Sequence, residues 1–220
     1  MAARSAAADR QEVGEVHMKL TPEDEKRIAE AIRAAEEKTS GEIFCVMAAA
    51  SSNYRFVPIA RAALVALTVP LPLFYFTPLW AEQIYFVQVA VFIACAILFS
   101  LPGLRFALVP RWIRRDRASI EAKRQFAAHG LHLVEQRTGV LIFASIAERH
   151  VEIVADAGIN AKVSPEVWDR AVKAMIEKIK RGQPVEGFLE AIRICGEVLA
   201  KHFPPGAINK NELPNKLVLM

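Results

Sequence analysis

The segment that decides the fold spans residues 62–104 and reads AALVALTVPLPLFYFTPLWAEQIYFVQVAVFIACAILFSLPGL. Between Arg61 and Arg105 the chain has one charged residue, Glu82, among 43 residues. Glu82 separates two uncharged windows of 20 and 22 residues. As a helix, each window is long enough to cross a hydrocarbon core of roughly 30 Å, because a helix rises about 1.5 Å per residue. The segment therefore predicts two transmembrane helices joined by a short turn.

Three prolines, Pro70, Pro72 and Pro78, interrupt the first window. A proline kink in a bilayer is tolerated when a neighbouring helix or a local readjustment satisfies the freed carbonyl groups. The second window supplies such a neighbour, so we predict an antiparallel helical hairpin over residues 56–112. The alternative, a pair of buried helices in a large soluble core, fits the lengths of the two windows less well.

Basic residues flank this hairpin and are absent from its turn. Arg55 and Arg61 precede it, and a cluster of arginines follows it: Arg105, Arg111, Arg114, Arg115 and Arg117. The positive-inside rule places both flanks in the cytoplasm and the turn outside. We therefore predict a two-pass protein of the inner (cytoplasmic) membrane with both termini in the cytoplasm. We expect the first four arginines of the cluster, and Trp80 near the turn, to lie at the membrane interface.

The composition excludes several classes of protein. The chain has 220 residues, of which 53% are hydrophobic and 24% charged, and its mean hydropathy is +0.22. These values exclude a disordered chain, a collagen-like repeat and a disulfide-stabilised scaffold. Three widely spaced cysteines without a CxxC pair indicate reduced thiols. The arginines at the membrane account for the pI of about 9.0, so we predict no nucleic-acid partner.

The sequence on both sides of the hairpin has helix and strand patterns. Residues 1–18 lack the apolar region of a signal peptide and predict a disordered extension, with Met18 as an alternative start. Thr21 and Pro22 then begin an amphipathic helix, and residues 42–48 form an apolar strand. After the hairpin come a helix from Asp116 through Val134, two paired strands and two further helices.

Together the two parts predict an α+β fold, because a lone strand in the first part needs partners from the second. We expect a small three-stranded sheet with about four helices, split by an inserted two-helix transmembrane hairpin. The predicted cytoplasmic domain comprises residues 19–53 and 116–208, followed by a C-terminal tail over residues 209–220. Within this tail, the apolar stretch Leu213–Met220 either covers its own domain or adds to the surface of a partner. We favour the first alternative.

Five segments of the chain carry a family resemblance: Glu36–Ile43, Thr138–Phe143, Ala147–Ile159, Trp168 and Asn211–Asn215. They resemble the TPM domain family, which is named after a thylakoid-lumen protein, a photosystem repair factor and a receptor modulator. The resemblance covers roughly residues 19–50 and 117–218, and the inserted hairpin departs from the family pattern. Better-known members of the family carry a signal or a flanking membrane anchor and work outside the cytoplasm.

The resemblance implies a protein that serves a larger complex. We predict a membrane-anchored module that binds a larger membrane protein complex, photosynthetic or respiratory, and assists its assembly or repair. Its predicted partner is an integral membrane protein. The sequence has no nucleophile elbow, phosphate loop, zinc quartet or dinucleotide motif, so we favour a non-enzymatic role.

The alternative function is a divalent-metal-dependent phosphatase-like hydrolase. The resemblance implies that some relatives bind divalent cations, and phosphatase activity has been proposed for a plant member. Asp156 and Glu152 would supply oxygen ligands to the cation, and Glu148 would be a further ligand or a proton carrier. A solvated strand face explains Glu152 without a metal, and we favour that explanation. We predict no other cofactor.

A second cluster of metal-binding residue types lies on the helix before the strands. His129 and His132 are three residues apart, and Glu135 follows on the same helix face. The sequence offers no fourth ligand to complete a zinc site. We therefore interpret these side chains as residues of a helix surface.

Overall fold

The computed structural model describes residues 20–52, 56–101, 109–134, 137–205 and 213–220. The chain divides into two compact units, of which the first combines Met1–Ser51 with Arg115–Met220 and the second is Ser52–Arg114. The predicted extension over residues 1–18 lies outside the described residues. So do Arg55, Arg105 and Glu135.

Four strands and several helices make up the α+β fold. Along the chain they are α1 (Pro22–Glu36), β1 (Glu42–Ala48), α2 (Phe56–Thr68), α3 (Pro70–Phe76), α4 (Ala81–Ser100), α5 (Arg111–Ala128), β2 (Gly139–Ser145), β3 (His150–Ala155), α6 (Ala157–Asn160), α7 (Pro165–Lys180), α8 (Pro184–His202) and β4 (Leu217–Leu219). A short 3₁₀ turn, Leu131–Leu133, follows α5. At the start of α1, Thr21 and Asp24 form the reciprocal bonds of a capping box.

The strands form one mixed sheet in the order β3-β2-β1-β4. Strand β1 runs parallel to both β2 and β4, whereas β2 and β3 are antiparallel. The predicted count of three strands is therefore wrong. The fourth strand comes from the C-terminal tail, where Leu217 pairs with Cys45 and buries its side chain against the sheet. The tail thus covers its own domain, as we favoured.

Helices cover the sheet on both faces. Helices α1, α7 and α8 pack on one face, where Ile28, Met175 and Phe188 meet the odd-numbered side chains of β1. On the other face, Ala122 of α5 and Leu131 pack against Phe44 and its neighbours. Because β1 and β2 are buried on both faces, they are apolar without alternation from Ile43 to Ala48 and from Val140 to Ala144.

Helix α5 ends earlier than the sequence predicts. The apolar spacing continues to Val134, but the helix stops at Ala128 and a 3₁₀ turn follows. Gly130 adopts φ of 71°, which is left-handed and breaks the helical path. The turn then brings Leu131 under the sheet, where a Cβ on Gly139 would come within 2.6 Å of its carbonyl oxygen.

The second unit contains the helices α2, α3 and α4. The boundary between α2 and α3 is at Val69. The Val69 N–H donates to the carbonyl of Ala66, three residues earlier, and Pro70 and Pro72 follow. Helix α3 ends at Phe76, before the extended Thr77 that precedes Pro78. Helix α2 packs along α4, with Ala62 and Ala66 of α2 and Ile84 of α4 buried inside the unit.

The docking of β4 predicts different costs for two leucines on the same strand. Leu217→Ala should lower the free energy of unfolding by about 2 kcal/mol or more, because the 7% exposed side chain leaves a cavity against β1. Leu219→Ala should cost less than about 0.5 kcal/mol, because Leu219 is 51% exposed. Thermal unfolding of the detergent-solubilised chain measures both. Equal costs would contradict the packing of β4 against the sheet.

Candidate functional site

Two helical segments in the second unit are long and apolar enough to cross a membrane. They are Phe56–Phe76, which is α2 with α3, and Ala81–Ser100, which is α4. Within the most apolar window of α4, 6% of the residues are buried inside the structure. A helix that is apolar all round needs lipid or protein around it, so the exposed surface of this unit fits a bilayer.

The residues expected at the membrane interface lie on two different elements, Trp80 at the start of α4 and three of the arginines on α5. Trp80 is 80% exposed and immediately precedes α4, where its backbone N–H donates to the Gln83 side-chain oxygen at 3.0 Å. Arg111, Arg114 and Arg115 all lie in the first two turns of α5. Arg105 lies outside the described residues.

Glu148 is buried in the turn between β2 and β3 and accepts hydrogen bonds from two neighbouring residues. Both of its carboxylate oxygens accept from the Ser51 N–H at 3.1 Å, and one also accepts from the Ser145 hydroxyl. Nearby, the amide of Ile146 donates to the Ala48 carbonyl. These bonds tie the end of β1 to the turn. Glu148 therefore holds the chain where it leaves the sheet.

Glu152 lies in the middle of β3, on the face that α5 covers. His150 Nε2 is 2.9 Å from one carboxylate oxygen, and the Ser119 hydroxyl of α5 donates to the other at 3.0 Å. The hydrogen bond with His150, followed by that from Ser119, lowers the pKa of Glu152 against the opposing effect of burial. The group is an ionised link between β3 and α5.

Asp156 follows β3 and caps the short helix α6. Its Oδ1 accepts from the Ala157 N–H at 2.6 Å, while its own amide donates to the Gly139 carbonyl. Its buried Oδ2 has no hydrogen-bond partner among the described residues.

The structure spreads the three predicted carboxylates along β3. Because a strand rises about 3.3 Å per residue, Glu148 and Asp156 lie at opposite ends of a strand roughly 20 Å long. Within the described ranges, no group of three or more His, Cys, Asp or Glu side chains could hold a metal ion together. The metal ligands stay a prediction from the sequence.

Sequence reasoning missed a pair of buried carboxyl groups, Glu36 and Glu42, which are 7% and 4% exposed. Glu36 ends α1, and its Oε1 accepts from the Ile43 N–H of β1 at 2.9 Å. Burial, aided by the charge of Glu42, raises the pKa of Glu36 to about 8, although bonds from Ile43 and Asn215 act the other way. The spacing of Glu36 could have revealed its burial, because Glu36 follows Ile28 and Ile32 at intervals of four residues on the buried face of α1.

The predicted histidine cluster is divided between different local structures. His129 follows α5 and packs against Phe44 with ring centroids 4.4 Å apart and the ring planes tilted by 36°. Burial, and after it the charge of Lys216, lowers the pKa of His129. His132 lies in the 3₁₀ turn. Glu135 is outside the described part of the chain. The two histidines therefore belong to separate turns rather than to one helix face.

A cavity of about 570 Å³ opens at the carboxyl ends of β1 and β2. Its walls come from the sheet, the turn before β3, the end of α7 and the start of α8. In open sheets, ligands commonly bind outside the carboxyl ends of parallel strands. No local motif in the sequence marks this cavity, because distant segments build it.

Two cysteines lie inside the domain as unreactive thiols. Cys45 of β1 and Cys195 of α8 are both fully buried. Burial raises the pKa of Cys195 to about 12, and it also raises the pKa of Cys45. Neither thiol ionises at neutral pH, which a nucleophile would require.

Comparisons with known proteins point to one domain family. The family model of the TPM domain matches residues 103–198, which confirms the resemblance seen in the sequence. The chain is also similar to the NMR structure of BA42 protein from the psychrophilic bacterium Bizionia argentinensis, with 23% identity and a TM-score of 0.60. The match covers 94% of this chain and 99% of that one, and it shows the likeness of fold. No curated protein matches the sequence.

The buried position of Glu36 predicts a pH dependence of stability. Its folded pKa of about 8 exceeds the ordinary value of 4.5, so the folded state retains a proton that the unfolded state releases. Stability should therefore fall as the pH rises from 4.5 towards 8, by at most about 1.4 kcal/mol per pH unit. Glu36→Gln should flatten this slope, as measured by urea unfolding at several pH values.

The exposed neighbour Glu37 offers the matched control for this measurement. Glu37→Gln should retain the pH slope of the parent chain, because this carboxylate lies on the surface and contacts Arg33. A Glu36→Gln variant that keeps the parent slope would show that Glu36 is ionised in the fold.

Proposed function

The chain carries a TPM domain over residues 103–198, and from that premise we propose a membrane-anchored module that binds a larger membrane protein complex. Its action is to assist the assembly or repair of that complex, which is photosynthetic or respiratory. The observation that carries the proposal is a pair of membrane-length helices inserted in the sequence between β1 and β2, two strands that pair directly in the sheet. An anchor inserted into the sequence of the domain, rather than attached at one end of it, restricts the domain to partners at the membrane.

The surface of α4 supports an intramembrane partner. Exposed apolar side chains point in several directions around this helix, among them Tyr85, Phe86, Ile97 and Leu98. Helix α2 covers only part of α4, through contacts that bury Ile84. The remaining surface is available to lipid and to the helices of another membrane protein.

Aromatic side chains concentrate around the turn between the two segments. Phe74, Tyr75, Phe76, Trp80 and Phe86 are all largely exposed. Aromatic residues suit the interface of a bilayer and are also enriched in protein interfaces, where they supply large contact areas. We name these five residues the turn aromatics and propose them as contacts to the partner complex.

The carboxylates of the first unit support a binding role over a hydrolytic one. Glu148 bonds to Ser51 and Ser145, and Glu152 bonds to His150 and Ser119. Both groups thus serve contacts between elements of the fold. These bonds take up part of the acceptor capacity of each carboxylate, and turning a carboxylate towards a cation would cost about 1–3 kcal/mol for each buried donor left unsatisfied.

Co-purification in a gentle detergent tests the function. The tagged full-length chain, extracted in digitonin, should elute with integral membrane subunits in a particle larger than the chain alone. The double variant Trp80→Ala/Phe86→Ala should reduce the recovered subunits several-fold, because it removes two of the turn aromatics. The double variant Leu64→Ala/Leu67→Ala is the matched control, since both leucines are exposed on α2 and lie away from the turn. Elution of the parent as a free protein, without membrane subunits, would refute the proposal.

The proposed orientation places the turn outside the inner membrane and the TPM domain in the cytoplasm, on the basis of the flanking arginines. Single cysteines at Gln83 and Lys201, both exposed, report the two sides. A membrane-impermeant maleimide should label Gln83→Cys in intact spheroplasts and Lys201→Cys only after permeabilisation. The parent chain gives the background from its own cysteines. Labelling of Lys201→Cys from outside would reverse the orientation.

A further inference from the structure

The cavity at the carboxyl ends of β1 and β2 has an apolar interior. Its deep wall includes Phe188 and Met47, which are 0% and 4% exposed, together with Val151 of β3. The half-buried Ile176 and Ile179 of α7 form the adjoining side. Its volume of about 570 Å³ lies within the range of roughly 300–1,000 Å³ that holds small-molecule ligands.

The mouth of this cavity is basic. Arg149, in the turn before β3, and Lys180, at the end of α7, line it and are exposed. No Asp or Glu is among the residues that line the cavity. Neither cation forms an ion pair with another residue in the described part of the chain. The two charges are therefore available to an anion, and the apolar wall behind them is available to a hydrocarbon chain.

Arg149 has a left-handed backbone conformation, which is unfavourable for any residue with a side chain. Its φ is 51°, and its N–H closes the turn by donating to the Ile146 carbonyl at 3.0 Å. For a residue with a Cβ this left-handed conformation costs about 1–2 kcal/mol, whereas glycine adopts it freely. The turn itself needs no side chain here. The arginine at this point thus adds a charge to the mouth at the expense of stability.

We propose that this cavity binds a single-chain amphiphilic anion, a long-chain carboxylate or alkyl phosphate. Its hydrocarbon chain lies against Phe188, Met47 and Ile179, and its head group lies between Arg149 and Lys180. Burial of the chain provides most of the affinity, and the two cations select the charged end. The bilayer around the helical hairpin is a source of such molecules. The inference goes beyond the proposed binding of a membrane complex and does not depend on it.

Photolabelling of the full-length chain in nanodiscs of neutral phosphatidylcholine tests the site. The probe is a diazirine-bearing fatty acid, and peptide mass spectrometry locates the attachment. Labelling should map to peptides that contain Met47, Ile179 or Phe188. Dodecanoate and dodecyl phosphate are separate competitors, and whichever displaces the probe at lower concentration identifies the head group. Methyl dodecanoate, which lacks the charge, should compete at least fivefold more weakly.

Two sets of variants separate the site from the fold. Arg149→Gly with Lys180→Gln should reduce labelling of the cavity at least fivefold, while the glycine relieves the turn and keeps the domain folded. Ile179→Trp should block the cavity by filling it. Lys173→Gln, an exposed lysine on the same helix that does not line the cavity, should label as the parent does. Unchanged cavity labelling in the Arg149/Lys180 double variant, equal competition by the ester, or labels confined to residues 56–101 would overturn the proposal.

Discussion

The parallel pairing of β1 with β2 is the interaction on which the rest of the structure depends. Seven consecutive residue pairs, from Glu42 with Gly139 to Ala48 with Ser145, join the two parts of the chain that flank the helical hairpin. The entropic cost of closing a loop grows only slowly, by about 0.6 kcal/mol for each doubling of the loop length. The whole second unit can therefore be inserted in the sequence between β1 and β2, provided that these two strands pair extensively with each other.

Local patterns explain how much of the fold was predictable. The apolar runs of β1 and β2, the proline-initiated helices and the two membrane-length segments were all visible, because each depends on residues close together in sequence. Strand β4 was missed because it has only three residues, too few to establish a period of two. The early end of α5 was missed because the conformation of Gly130 overrides an apolar spacing that would extend the helix.

The candidate sites were less predictable, because their geometry is not local. Glu148, Glu152 and Asp156 are close in sequence, but an extended strand separates side chains that a helix would bring together. Glu36 was not identified as a candidate, although its spacing places it on the buried stripe of α1. The cavity could not be inferred from sequence at all, since residues from Met47 to Phe188 meet there only through the sheet order.

The central position of β1 has a consequence for biosynthesis. This strand leaves the ribosome before either of its neighbours, β2 and β4, and β4 is the last of the described strands to be synthesised. At about 5–20 residues per second, translation needs roughly ten seconds or more between the first strand and the last. During that interval both apolar helices emerge, while β1 still lacks a partner on one or both edges. Both membrane-length helices are thus synthesised before the sheet has all of its strands, and the edge of β1 that β4 later covers stays open until then.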